Sequence, residues 1–171
     1  MGPPHNLPAR VTRLIGREED VSKLVHQLPL HRLLTIVGGA GIGKTAVALA
    51  GAEELISNYE HGVWLIDLAP VADPRLVPTA LASALSLEIR SDDPLPGLIA
   101  AMSKKRMLLV LDNCEHVIEA AAALVSEMYF GNLEPSARQR TRNKSSGWPP
   151  GITKCAVSAV SVVLIDQMCR P

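Results

Sequence analysis

The stretch Arg32 to Thr45, RLLTIVGGAGIGKT, constrains this chain more than any other. An apolar run, Leu33 to Val37, breaks directly into glycines and ends in Gly43, Lys44 and Thr45. A short β-branched run suits a buried strand, and the glycines permit a backbone turn that side chains would block. The alanine-rich segment that follows, Ala46 to Ile56, holds no proline and suits a helix. Strand, tight turn and helix in immediate succession point to an α/β architecture.

From Gly38 onward the turn fits G-x-x-x-x-G-K-[ST], the P-loop pattern. Successive backbone N–H groups of such a loop curl around a phosphate chain, Lys44 reaches the β and γ phosphates, and the Thr45 hydroxyl can ligate Mg²⁺. A helix starting near Thr45 adds its positive dipole end.

Alternation continues downstream. Gly62 to Leu68, GVWLIDL, is a short apolar run bounded by Gly62 and by Ala69-Pro70, which predicts a second parallel strand buried on both faces. From Pro74 to Leu87, apolar residues recur at three- and four-residue intervals, and a further short helix is expected around Leu98 to Ser103. Met107 to Asp112, MLLVLD, is a third buried strand, and Val117 to Met128 is a helix on propensity. Upstream, Val21, Leu24, Val25 and Leu28 mark a short amphipathic helix that Pro29 stops, behind an extended arm over residues 1–13. Right-handed crossovers place ligands at the carboxyl ends of the strands, where both the glycine loop and Asp112 lie.

Apolar residues ending in an acid, as in Met107 to Asp112, have the Walker B form, in which one carboxylate holds Mg²⁺. Hydrolysis also needs a group that positions or deprotonates water. Asn113 follows Asp112 and can orient water without taking its proton. Glu115 is the nearest carboxylate in sequence, and an exposed acid near a helix start is its equal alternative. Lys44, Asp112 and Glu115 are therefore the catalytic candidates, with Thr45 and Asp112 as metal ligands.

The bulk numbers exclude other classes. At 171 residues and 47% hydrophobic content the chain holds one ordinary domain with a core. Lys plus Arg and Asp plus Glu both number 17, so no global field favours nucleic acid or an anionic membrane. No apolar run approaches the roughly 20 residues of a membrane span, and the N-terminus lacks a signal-peptide core, so a cytoplasmic protein is expected. Cys114, Cys155 and Cys169 have neither disulfide nor zinc spacing, and the five histidines are scattered.

The segments LIGREEDVSKL, GGAGIGKT, GVWLIDLAPVADPRLVPTALASAL and LLVLDNCEHVIEAAAALV, in that order, resemble the STAND-class signalling ATPases. The likeness is to the NB-ARC-like, AAA-like module of bacterial transcriptional regulators of the LuxR and SARP kinds, from about Leu7 to Met128. It implies a P-loop NTPase fold of three α/β/α layers with a parallel sheet. It implies that Ile15, Gly16 and Arg17 sit near adenine and ribose. Gly38, Gly39, Ala40, Gly41, Ile42, Gly43, Lys44, Thr45 and Ala46 would bind the phosphates of ATP or ADP, and Asp112 would hold Mg²⁺. The implied function is a nucleotide-dependent switch that works through self-association or regulatory protein partners, with DNA-binding output in domains outside this chain. The alternatives are a non-catalytic nucleotide-binding interaction module or an inactive remnant, and more weakly a small-molecule kinase, for which no basic lid precedes Tyr129.

The family's next element, a strand ending in a Thr-Ser-Arg type sensor, does not follow the Val117 helix. Residues 14–128 thus read as a partial P-loop domain, and residues 129–171 as a non-family tail, polar and basic through Arg138, Arg140, Arg142 and Lys144. A truncated or frameshifted reading frame is the expected origin of that tail. The missing strand belongs between the Walker A and Walker B strands, so the sheet is expected to be incomplete. The apolar, β-branched run Ala156 to Ile165 could close that gap as a core strand, and an edge strand or a collapsed tail are its alternatives.

Overall fold

A computed structural model describes residues 2–9, 14–31, 33–39, 41–89, 93–130 and 161–166 of the chain. Strands and helices alternate: α1 (Glu18–Gln27), β1 (Leu33–Val37), α2 (Lys44–Glu54), β2 (Val63–Asp67), α3 (Val77–Ala84), α4 (Leu95–Met102), β3 (Leu108–Asp112) and α5 (Ile118–Phe130). A last strand, β4 (Ser161–Asp166), completes a sheet of order β1-β4-β3-β2 in which every described pairing is parallel.

Two apolar layers cover this sheet. On one face Val47, Ala48 and Ala52 of α2 and Val21 and Leu24 of α1 pack on Val63, Leu108 and Val110. On the other, Ile66, Leu109 and Leu111 meet Leu81 of α3, Leu98 of α4 and Leu124 of α5. Every residue of β3 is buried, which is why Leu108 to Leu111 reads as continuous hydrophobics instead of an alternation. Gly51 lets the two helices of the first layer close up: a Cβ there would come within 2.8 Å of Leu24 Cδ2.

The slot between β1 and β3, expected to lack its strand, is occupied by β4. Leu33 to Val37 pair with Val162 to Asp166 on one side, and Leu108 to Leu111 with Ser161 to Leu164 on the other. The strand lies within and one residue beyond the run expected to close the gap. The remainder of the tail expected as linker, residues 131–160 and 167–171, lies outside the described residues, and α5 carries the chain to Phe130.

The N-terminal arm runs along the outer edge of β2. Val63 N–H donates to the Pro4 carbonyl (3.1 Å), and the Asn6 side chain acts as a surrogate peptide, accepting from Leu65 N–H (2.6 Å) and donating to the Leu65 carbonyl (2.9 Å). The arm thereby satisfies backbone groups that an open sheet edge would leave available to another chain. Gly62, at φ 97°, makes room for this approach, because a Cβ there would collide with the Pro4 carbonyl.

Candidate functional site

The site lies at the carboxyl ends of β1 and β3. Gly43 has φ 86° and is the residue immediately before α2, a left-handed conformation that disfavours any side chain. The intrahelical ladder begins with Val47 N–H donating to the Gly43 carbonyl (3.0 Å). The N–H groups of Lys44, Thr45 and Ala46, in the first turn, have no helical acceptor and remain available to an anion.

Lys44 is 7% exposed, unusual for a lysine, and its ammonium donates to the carbonyls of Gly38 (3.0 Å) and Gly39 (2.8 Å). The side chain is folded back over the loop it belongs to. A Cβ at Gly38 would meet Ile42 Cδ1, the end of an exposed side chain that can turn aside.

Asp112, also 7% exposed, ends β3. Its Oδ1 accepts from Thr45 Oγ1 (3.2 Å) and from Asn113 N–H (2.9 Å). Sequence-distant by 67 residues, Thr45 and Asp112 are brought together because α2 packs on β3. A hydroxyl and a carboxylate are hard oxygen donors of the kind Mg²⁺ takes. Among the described residues no group of three or more His, Cys, Asp or Glu forms a metal cage, so an ion here would be completed by phosphate oxygens and water.

Arg17 reaches the loop from the other side. One guanidinium nitrogen donates to the Ile42 carbonyl (2.8 Å) and another pairs with Asp20 Oδ2 (2.9 Å). Gly16 sits at φ 73° and Ile15 is 85% exposed, two residues ahead of Arg17. Between α1, β1 and the loop opens a cavity of about 510 Å³, within the usual range for small-molecule sites, lined in part by Arg17, Leu24, Ile36, Ile42 and Lys44. Lys23 also borders it, its pKa raised by a hydrogen bond to Glu19 (2.8 Å).

Of the residues expected from sequence, Gly38, Gly39, Gly41, Ile42, Gly43, Lys44 and Thr45 form the loop and the start of α2, Arg17 is bonded to it, and Asp112 to Thr45. Ala40 lies outside the described residues. Glu115 opens a short 3-10 turn, Glu115 to Val117, and no hydrogen bond joins it to Thr45 or Asp112 among the described residues. His116 is turned toward the loop after β2, its Nε2 2.9 Å from the Val71 carbonyl.

Sequence reasoning passed over Asp67 at the end of β2. Its Oδ1 accepts from Asn113 Nδ2 (2.8 Å) and from Ala69 N–H (3.0 Å). Asn113 has φ 55°, a conformation Asn tolerates better than most residues, and from it the backbone N–H reaches Asp112 while the amide reaches Asp67. The signal was present in WLID: β2 ends in an acid as β3 does.

A parallel sheet between helical layers, with a glycine loop between β1 and α2, defines a P-loop NTPase fold. The fold is similar to that of the ORC2 protein of Aeropyrum pernix, solved in ADPNP and ADP complexes: TM-score 0.59, 14% identity, covering 95% of this chain and 43% of that one. The chain matches the family Novel STAND NTPase 1 over residues 8–144, and it belongs to that family. The match continues past Met128, the expected end of the resemblance, to residue 144.

An uncharacterised protein of Mycobacterium tuberculosis is 30% identical over 125 residues, covering 72% of this chain and 32% of that protein. A Mycobacterium tuberculosis protein named as an HTH-type transcriptional regulator is 39% identical over 107 residues, covering 59% of this chain and 11% of that protein. The chain therefore spans about a third or less of the length of these relatives. No helix among the described residues is long and apolar enough to cross a membrane.

Proposed function

We propose that this chain is the Mg²⁺-ATP/ADP-binding module of a cytoplasmic signalling regulator of the LuxR or SARP kind, in which the bound nucleotide sets a switch. The observation that carries the reading is the convergence of Lys44, Thr45 and Asp112, a buried ammonium, a hydroxyl and a carboxylate, at the start of α2. The likeness to a protein named as an HTH-type transcriptional regulator supports the regulatory setting.

In this reading the phosphates take the N–H groups at the start of α2, and Lys44 exchanges its two loop carbonyls for β and γ phosphate oxygens. Thr45 and Asp112 hold Mg²⁺, whose chemistry is to neutralise charge on the phosphates. Arg17, Gly16 and Ile15 border the base and ribose, and the cavity under α1 receives the base. Partners are regulatory proteins or further copies of the module, and DNA contact belongs to other domains.

A non-catalytic interaction module is favoured by one observation, the amide of Asn113 beside Asp112 with its side chain committed to Asp67. Binding and turnover separate the two readings. Purified chain should bind ATP more tightly with Mg²⁺ than with a chelator present, and Asp112→Ala should abolish that difference. Equal affinity of the wild type in both conditions overturns the Mg²⁺ assignment, and no binding in either overturns the nucleotide assignment.

A further inference from the structure

We propose that Asp67, at the end of β2, is the catalytic carboxylate that orients the attacking water and takes its proton, which the amide of Asn113 beside Asp112 cannot do. This rests on the nucleotide reading above and deepens it. Asp67 and Asp112 are paired in register on adjacent parallel strands, about 4.8 Å apart as such strands are. Register partners project to the same face. That face is fixed by their neighbours: Val63 and Leu65 of β2, and Leu108 and Val110 of β3, pack on the α1–α2 layer. Two and four residues further on, Asp67 and Asp112 therefore lie on the side of the sheet from which Thr45 approaches.

Asn113 clamps the two acids. Its backbone N–H donates to Asp112 Oδ1 and its amide to Asp67 Oδ1, so one residue sets both carboxylates. Ala69 N–H is the second donor to Asp67 Oδ1. Asp67 Oδ2 is left without a protein partner among the described residues, and Asp67 is exposed, so water reaches it. An acid at position 113 would face Asp67 with like charge; the amide holds it instead. Glu115, the nearest carboxylate in sequence, has no comparable tether to the strand ends.

In the step, the water oxygen forms a bond to the γ phosphorus and the bond from that phosphorus to the β–γ bridging oxygen breaks. ADP leaves with the electron pair, and the water proton passes to Asp67 Oδ2 and then to solvent. The products are ADP and inorganic phosphate.

The test is Asp67→Asn in the full chain, with Glu60→Gln as comparator. Asparagine keeps an Oδ1 acceptor for Asn113 and Ala69 and removes the proton acceptor. Mg²⁺-ADP affinity, which also reports folding, should stay within about threefold, while phosphate release from Mg²⁺-ATP falls about 100-fold or more, the usual contribution of a positioned base. Glu60→Gln, at an exposed acid before the start of β2, should leave turnover within about threefold. Binding retained with a turnover loss below tenfold in Asp67→Asn overturns this assignment alone, as does a wild type that binds Mg²⁺-ATP and releases no phosphate. A wild type that binds no nucleotide sinks the nucleotide reading, and this assignment with it.

Discussion

Replacing Lys44 by alanine isolates what the loop gains from phosphate. The Lys44 ammonium is satisfied by the carbonyls of Gly38 and Gly39, at 3.0 and 2.8 Å. On the proposed reading, binding would exchange those two charge-assisted bonds for two to phosphate oxygens, each worth roughly 1.5–3 kcal/mol against water. The net gain is the difference between anionic and neutral acceptors, about 2–3 kcal/mol, not the gross sum. Lys44→Ala should therefore weaken Mg²⁺-ATP about 30- to 150-fold. Gly39 is exposed and Gly38 half-buried, so water can take up the released carbonyls and the variant should fold normally. Isothermal titration with ATP, ADP and adenosine reads the effect. The loss should be largest for ATP and absent for adenosine. A change below threefold for ATP, or an equal loss for adenosine, refutes the exchange.

Arg17→Ala removes the 2.8 Å bond to the Ile42 carbonyl and with it one anchor of the loop; Mg²⁺-ATP affinity should fall about tenfold in the same titration, and an unchanged Kd counts against its place beside the nucleotide. Leu109→Ala empties the fully buried centre of the α3–α5 face and should cost about 2–5 kcal/mol, read from a denaturant midpoint, with a loss under 1 kcal/mol contradicting the packing. Asp73 is held below the usual carboxylate range, at about 2, by hydrogen bonds from Arg75, chiefly its side chain. Its folded value is depressed from 3.8, so its contribution is present above about 4 and is lost as pH falls toward 2; an NMR midpoint near 4 would deny the pairing.

The phosphate loop and the strand ends were legible because each depends on local chain chemistry. Gly43, Lys44 and Thr45 adjoin in sequence, and an apolar run ending in Asp112 announces both its burial and its acid. The amphipathic spacing of Val21, Leu24 and Leu28 located α1 for the same reason. What sequence could not supply was pairing across the sheet. That Asp67 stands level with Asp112 is a fact of register between residues 45 apart, and the left-handed turn of Asn113 that ties them has no one-dimensional signature. Asn6 is similar: an ordinary arm residue becomes a strand surrogate only because β2 is an outer strand.

Two routes connect the phosphate loop to Asp112, and they are not equivalent. Through the sheet, β1 reaches β3 only by way of β4, which contributes both intervening ladders. Through the helical layer, α2 seats Val47 and Ala48 against Leu108 and Val110, and its first turn carries Thr45 directly to Asp112. The helical route lies wholly inside the stretch that matches the Novel STAND NTPase 1 family, whereas β4 lies beyond residue 144. The Thr45–Asp112 contact thus rests first on α2 packing, and β4 acts by satisfying the facing backbone edges of β1 and β3, which would otherwise be open to other chains. Arg17 adds a third tie, from the residue preceding α1 to the Ile42 carbonyl, and α1 in turn packs on α2 at Gly51. Lys44 and Arg17 hold different carbonyls of one loop, Gly38 and Gly39 in the first case and Ile42 in the second, so the loop is tied on one side to its own helix and on the other to the residue that precedes α1.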